Sequence, residues 1–300
     1  MPVNTTLFAH GSSWLRADFH LHTRRDKEFK DDGAEQDFVA RYVFALKQAD
    51  IRVGAITNHN KFDLDEFKVL RKAASKDQIY LLPGIELSVK DGRNGIHTLV
   101  VFHDEWVDNR ENTDYINSFL GLTFAGQTGY DNSNARSNHD IPGTLRELNN
   151  YGKDYFLIFA HVEENNGLWG GFDGGRITEL GQNELFRSRT AAFQKVGTRD
   201  RQTKVQGWLG GWYPAEIEGS DPKTMAEIGR GDTTFIKIGA FTFEAVQFAL
   251  KPGADRIAPS KPSRQPHSGT FHSIRGWDSG REALRFLRST QLPDRHPGKR

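Results

Sequence analysis

His20 and His22 stand two residues apart in ADFHLHT, at the end of an apolar run. That spacing puts both imidazoles on one face of a strand, where they can hold a single metal ion. Other ligand-type side chains recur at comparable places: His59 after VGAIT, Glu86 in LLPGIELS, His161 closing YFLIFA and Asp221 after AEIEG. His97 opens the TLVVF run and is expected to reach in from a loop. Taken singly these signals are weak, because histidines also cap strands and a buried Glu is more often half of an ion pair. A histidine-lined metal pocket would give Glu86 such a partner. Taken together, the strand-end positions argue for a metal site. His103 and His139 lack that context and read as structural, while His10, His267, His272 and His296 lie in end segments and read as solvated.

The elements that must position these groups follow from hydrophobic periodicity. Short apolar runs predict strands over 14–19, 53–57, 79–82, 98–102, 155–160 and 235–238, AEIEG is a plausible further strand, and 191–196 is an apolar segment. Phe38, Val39, Tyr42, Val43 and Leu46 recur at helical spacing, as do Leu64, Phe67, Leu70 and Arg71. Further helices are expected over 141–149, near Met225 and over 243–250, with a short one over 280–288. Strands alternating with helices favour a parallel α/β sheet, open or closed into a barrel, whose carboxyl-terminal strand ends converge on one face. Two long loops, 121–140 and the glycine-rich 165–175, are expected to be functional or disordered. A folded domain is expected over 1–257, followed by a Pro/Arg-rich extension over 258–300 that is expected to be partly disordered.

Composition narrows the chemistry. The 300 residues contain no cysteine, which removes disulfides, thiolate zinc sites and cysteine nucleophiles, so any metal must sit on nitrogen and oxygen. Lys plus Arg is 40 against 39 for Asp plus Glu, a net charge of +1 that argues against a global polyanion-binding surface. No apolar run reaches the ~20 residues needed to span a bilayer. The N-terminus lacks a signal-peptide pattern, so a cytoplasmic protein without membrane partners is expected. Neither G-x-S-x-G nor H-E-x-x-H occurs, no G-x-G-x-x-G follows a strand, and no Walker A pattern appears.

The segments ADFHLHT, AITNHN, LLPGIELS, HTLVVF, IFAHVEENNGL and EGSDPK, in this order, resemble the PHP (polymerase and histidinol phosphatase) superfamily. The likeness is greatest to PHP domains that precede TrlF-like, SMC-related ATPases, and it covers residues 14–257. It implies a distorted (β/α)7 barrel carrying up to three ions of zinc, manganese or iron. By resemblance, His20, His22 and Asp221 match the first-metal set, Glu86 the bridging carboxylate, and His97 and His161 the second-metal positions. His59 matches a third-metal ligand, with Asp26 or Glu28 supplying another.

Two positions depart from the family. Asp221-Pro222-Lys223 stands where Asp-x-His is common, and Asn58 replaces the usual Asp before the third-site histidine. A protonated ammonium cannot ligate, so two metals are expected and the third site is doubtful. Lys223 then either points to solvent or presents its charge to a phosphate oxygen. The implied activity is phosphoester hydrolysis, with His161 or a metal-bound water as proton donor; Arg24, Arg25 and Lys27, just after the metal motif, either steer an anionic substrate or form a solvated loop. Nucleic acid or nucleotide diesters are the expected substrates, with Trp169, Phe172 and Trp208 available for base stacking. A small-molecule phosphomonoesterase and a non-catalytic regulatory module are the alternatives. An ATPase partner, fused or in trans, is a further expectation.

Overall fold

The computed structural model describes residues 7–253 and 255–262. Most of the expected C-terminal extension, including the helix predicted over 280–288 and His267, His272 and His296, lies outside the described residues. The strands are β1 (Ser13–Leu21), β2 (Ile51–Ile56), β3 (Tyr80–Val89), β4 (Ile96–Phe102), β5 (Tyr155–Phe159), β6 (Thr190–Gln194), β7 (Ala215–Ile217), β8 (Thr234–Ile238) and β9 (Ile257–Ala258). The helices are α1 (Phe38–Gln48), α2 (Leu64–Lys76), α3 (Tyr115–Thr123), α4 (Ile141–Asn150), α5 (Leu168–Gly171), α6 (Gly174–Gln182), α7 (Glu184–Arg189), α8 (Arg199–Trp208) and α9 (Phe243–Ala249).

The strands form one nine-stranded sheet in the order β7-β6-β5-β4-β3-β2-β1-β8-β9. It curls into a nearly closed barrel, but it is mixed rather than all-parallel. β1, β2 and β3 run parallel, as do β5, β6 and β7, whereas β4 is antiparallel to both of its neighbours. β8 and β9 add antiparallel strands beyond β1, taking the sheet past the seven strands that the resemblance implies. β9 also straddles the expected boundary at residue 257.

Two layers of core hold the sheet. Alternate residues Leu15, Ala17 and Phe19 of β1, Val53 and Ala55 of β2, Leu82 of β3, and Leu99 and Val101 of β4 join one buried cluster. Phe243, Val246 and Ala249 of α9 belong to the same cluster and plug the barrel interior. The opposite parity, including Ile51, Leu81, Val100 and Leu157, packs under α1, α2 and the later helices. Phe38, Tyr42, Val43 and Leu46 form the buried stripe of α1, as their spacing predicts. Helices α3 and α5–α8 go beyond the helices expected from the sequence, and α5 stands inside the stretch 165–175 expected as a loop; α8 is mostly polar and buries only Val205.

The two edges of the sheet meet without a strand ladder. The Glu218 backbone NH donates to Thr234 Oγ1 at 2.6 Å, and that hydroxyl donates to the Glu218 carbonyl at 3.1 Å. A cavity of about 490 Å³ opens beside this seam, lined by Glu216, Glu218, Thr233, Arg256 and Pro259 among others.

Candidate metal centre

The side-chain parity of each strand decides what reaches the interior face. Leu15, Ala17 and Phe19 face inward, yet Leu21 belongs to the outer layer. The β1–β2 register slips between Asp18 and Leu21, and this irregularity reverses the alternation. His20 and His22 therefore take over the inward side at the end of β1. On β3, Glu86 continues the inward row of Leu82. On β4, His97 shares the parity of Leu99 and Val101. The antiparallel direction of β4 puts its amino-terminal end on the same face as the carboxyl ends of the parallel strands. His97 is thus a strand residue, and the expectation that it reaches in from a loop is corrected.

Glu86, 1% exposed, lies at the centre. Its Oε2 is 2.8 Å from His20 Nε2, 3.1 Å from His59 Nε2 and 3.4 Å from His22 Nε2. Its Oε1 is 2.7 Å from His97 Nδ1 and 3.6 Å from His161 Nε2. Asp221 Oδ1 completes the near side, 2.9 Å from His22 Nε2 and 3.5 Å from His20 Nε2. Three groupings have ligand atoms within 4.8 Å of one another: His20, His22, Glu86 and Asp221; His22, Asp26 and His59; and His59, Glu86 and His97.

The first grouping coincides with the set that the resemblance assigns to one metal. The third pairs His97 with His59 rather than with His161, which stands just outside it. Glu28 belongs to none of the three. Its Oε2 instead holds Lys223 Nζ at 2.9 Å, and the same ammonium is 2.9 Å from Asp221 Oδ1. Lys223 therefore bridges the centre's rim and does not point freely into solvent.

Electrostatics bind these groups together. Burial alone would raise the Glu86 carboxyl, but His20, His59 and His97 outweigh it and hold the group well below the usual carboxylate range. Asp221 is likewise depressed, its burial overcome by His20 and His22. Burial would lower His22, yet hydrogen bonds to Asp221 and Asp26 carry it from 6.5 to about 9. Burial also opposes the charged form of Lys223, and Asp221 and Glu28 more than reverse that effect.

A divalent ion fits this donor set. The five buried imidazoles crowd one carboxylate, His161 Nδ1 has no protein partner among the described residues, and every donor is nitrogen or oxygen. A purely structural core has no reason to gather so many titratable rings around one charge.

Other side chains support the ligands. Gln194, fully buried at the inward end of β6, places Oε1 2.9 Å from His20 Nδ1. Asp18 accepts from the His20 NH at 3.1 Å and from Ser220 Oγ at 2.5 Å, tying the Asp221 loop to β1. Tyr42 of α1 donates to the His22 carbonyl at 2.9 Å. Asn58 accepts from the Thr23 NH at 2.8 Å and thus fixes the turn after His22. Gln194 and Asp18 were missed in the sequence because only histidines and strand-end carboxylates were sought. The strand-end rule applied to β6 finds Gln194.

Several expected contributors are engaged elsewhere. Arg24 Nε binds Glu66 Oε2 at 2.7 Å, with its guanidinium over the Phe38 ring. Arg25 Nε contacts Asp63 at 3.0 Å and Glu66 at 3.3 Å. Both arginines anchor the loop to α2, and their contacts do not aim them at a substrate phosphate. Lys27 pairs with Asp131 at 2.8 Å. Trp169 is 2% exposed and packs edge-on against Phe193, so it is a core anchor and no stacking platform. Trp208 is partly exposed and sits against Gly174. His103 pairs with Glu244 at 3.1 Å, away from the centre.

A second cavity, of about 530 Å³, opens beside His97. Besides His97 it is lined by Asn94, Ser133, Asn134 and the run Glu163 to Asn166.

No protein-family profile matches the chain, and no curated protein is similar to it. Solved structures are similar. One is a two-domain protein from Bacteroides vulgatus containing a predicted PHP-like metal-dependent phosphoesterase, at 15% identity and a TM-score of 0.51. The match covers 83% of this chain and 65% of that one, so the chain spans just under two thirds of that protein's length. Another is a candidate metal-dependent phosphoesterase from Bifidobacterium adolescentis, at 12% identity, a TM-score of 0.46, and coverage of 78% and 95%. PsfC from Pseudomonas syringae follows at 13% identity, a TM-score of 0.43, and coverage of 75% and 82%. The likeness to the Bacteroides protein is one of fold. No described helix is long and apolar enough to cross a membrane.

Proposed function

We propose that the chain is a metal-dependent phosphoester hydrolase whose centre is the cluster around Glu86. The observation that carries this reading is the convergence of His20, His22, His59, His97 and His161 on the two oxygens of one buried carboxylate. His20, His22, Glu86 and Asp221 would hold one ion, and His59, Glu86 and His97 a second, with His161 adjoining. Manganese, zinc or iron suits such ligands. When bound, divalent ions here supply positive charge to a phosphoryl oxygen and lower the pKa of water.

The chain's own groups do the rest. Glu86 shares its two oxygens between both sides and so fixes their separation. Lys223 holds a proton firmly and presents an ammonium beside Asp221, where negative charge on a phosphate would otherwise meet carboxylates. Its neighbour Glu28 keeps that ammonium on the rim. His161, 5% exposed, has an Nδ1 without a hydrogen bond among the described residues, 3.9 Å from Glu164 Oε2, and stands next to the 163–166 wall of the second cavity. In this reading it would hand a proton to a leaving oxygen that enters from that side.

The resemblance to ATPase-linked PHP domains makes a nucleic acid or nucleotide diester the first substrate to test, and an ATPase a partner. A specific observation favours a second reading, a small-molecule phosphomonoesterase. The cavity beside His97 is lined by amides, a serine and carboxylates, with neither Lys nor Arg among its lining residues to receive a flanking phosphate.

The test uses metal-stripped protein with Mn²⁺ restored, assayed on a phosphodiester and a phosphomonoester reporter. The doubly substituted His20→Ala, His22→Ala protein serves as the blank. Diester cleavage lost in the blank is the expected result for the first reading, and monoester cleavage alone for the second. Silence on both, in protein holding two metals, would overturn the hydrolase reading in favour of a regulatory module.

A further inference from the structure

The cavity beside His97 is lined by four asparagines, a serine, two glutamates and the histidine itself, and by no apolar side chain. Its volume of about 530 Å³ suits a small molecule. It opens onto the centre, because His97 Nδ1 stands 2.7 Å from Glu86 Oε1.

Both walls are fastened to the centre. Asn60, buried and next to His59, donates through Nδ2 to the carbonyls of Tyr130 and Asn132 at 3.1 and 2.8 Å, and its Oδ1 takes the Ser88 NH at 2.9 Å. Ser88 Oγ donates to the Ser133 carbonyl at 3.1 Å, and Asn132 Oδ1 takes the Asn134 NH at 3.0 Å. On the other wall, the Asn166 carbonyl accepts the His97 NH at 2.9 Å. Glu163 accepts from the NH groups of Gly197 and Thr198 at 3.2 and 2.9 Å, which ties that wall to the start of α8. Asn134 and Asn165 are bonded through their backbones alone among the described residues. Their carboxamides thus stand on fixed backbone with their own donors and acceptors to spare.

This lining selects what leaves with the ester oxygen. A nucleobase wants an aromatic face and a flanking phosphate wants a cation, yet no Trp, Tyr, Phe, Lys or Arg lines the cavity. An apolar alcohol would leave the carboxamides unpaired, and an ammonium would leave their NH donors unmatched. A hydroxyl both donates and accepts, as a carboxamide does.

We propose that the cavity receives a polyhydroxylated leaving group, so that the substrate is a sugar or polyol phosphomonoester, and that Asn134 and Asn165 determine this specificity. The inference rests on the phosphomonoesterase reading and names its substrate class. Water supplies the oxygen that bonds to phosphorus, the bond from phosphorus to the sugar oxygen breaks, and a proton ends on that oxygen as the alcohol leaves.

The experiment measures phosphate release by Mn²⁺-restored full-length protein from a hexose phosphate, a pentitol phosphate, n-butyl phosphate, phosphoethanolamine and a mononucleotide. The sugar and polyol phosphates are expected to exceed the other three in kcat/KM by at least about 10-fold. Asn134→Leu and Asn165→Leu should each cut the preference for the hexose phosphate over butyl phosphate by roughly 3- to 10-fold. A second readout needs no turnover: the asparagine side-chain NH₂ resonances of ¹⁵N-labelled, Zn²⁺-loaded protein, titrated with a sugar phosphonate whose P–C bond resists hydrolysis. The signals missing from the two variants should be the ones that shift. Butyl phosphate cleaved as well as the hexose phosphate, with those signals unmoved, would overturn the proposal and leave a phosphomonoesterase of another specificity. Preference for phosphoethanolamine or the mononucleotide would overturn it too, as would a sugar preference that survives both substitutions. Shifted signals without cleavage of any ester would support the hydroxyl site while removing the hydrolase reading. Neither shift nor cleavage would overturn both.

Discussion

The centre has two halves that are built differently. His20, His22, His59 and Glu86 come from the parallel run β1–β2–β3; His59 and Glu86 keep the parity of their strands' inward rows, whereas His20 and His22 turn inward after the slip in β1. Among the later ligands, His97 stands on an antiparallel strand, and His161 and Asp221 stand on left-handed backbone, at φ 29° and 46°. Non-glycine residues in that region cost about 1–3 kcal/mol each, and they persist only where the surroundings impose them. At His161 the conformation breaks the alternation that runs inward through Phe156 and Ile158 of β5 and on to Ala160 just beyond it. At Asp221 the constraint is visible: its backbone NH donates to the His20 carbonyl at 3.1 Å, and Asp18 holds Ser220. The first half is placed by the parallel strands, the second by an antiparallel strand for His97 and by left-handed turns for His161 and Asp221.

Glu86 contacts His20, His22 and His59 of the first half and His97 and His161 of the second, so its loss should abolish the distinction. Glu86→Gln is expected to lower metal affinity by more than ~100-fold, beyond what outer partners contribute, and to eliminate reporter hydrolysis. Metal content after gel filtration measures this, and an unchanged two-metal protein would refute the bridging role. Lys223→Ala should separate charge from ligation. Turnover is expected to fall by roughly 100-fold with metal content intact, and unaltered turnover would return Lys223 to a surface role.

Asp18→Ala probes the dependence of the second half on the first. Removing the buried acceptor of Ser220 should cost about 2 kcal/mol in chemical denaturation. It should weaken the metal step that uses Asp221 and spare the one that uses His59; equal weakening of both would argue against two separately built halves.

The smallest expected effect is the pH dependence of the metal-free protein. His22 is raised from 6.5 to about 9, so its contribution to stability is complete below pH 6.5 and is lost as pH rises through 9. Asp26 and Asp221 are lowered from 3.8, so theirs is complete above that pH and is lost as pH falls through the depressed values. Between pH 3.8 and 6.5 these contributions are present together. Chelator-treated protein should therefore unfold more easily at pH 9.5 than at 6, and an identical midpoint at both would show that His22 is not held by its carboxylates.

Much of this arrangement was legible because strand ends announce themselves. ADFHLHT, TNHN and LLPGIELS each put a ligand type directly after a buried run, and the parallel βα pattern says where such ends converge. The direction of β4 was not legible, since TLVVF reads the same either way. The slip in β1 that turns His20 and His22 inward depends on pairing with β2, which no local pattern encodes. Arg24 and Arg25 resembled an anion gate only because Glu66, 42 residues from Arg24, was not known to lie beneath them. Gln194 is uncharged and non-titrating, and only its position reveals it.

The seam between β7 and the β8–β9 edge has a mechanical consequence. Closed barrels are hooped by continuous hydrogen bonding, but here the hoop is interrupted, and the Asp221 loop leans on β1 across the gap. An ion shared by His20, His22 and Asp221 would act as the buckle of that hoop. Withdrawing it should let the belt slacken at its free end first, so amide exchange would quicken in β7 and residues 218–221 while β2 and β3 keep their pace.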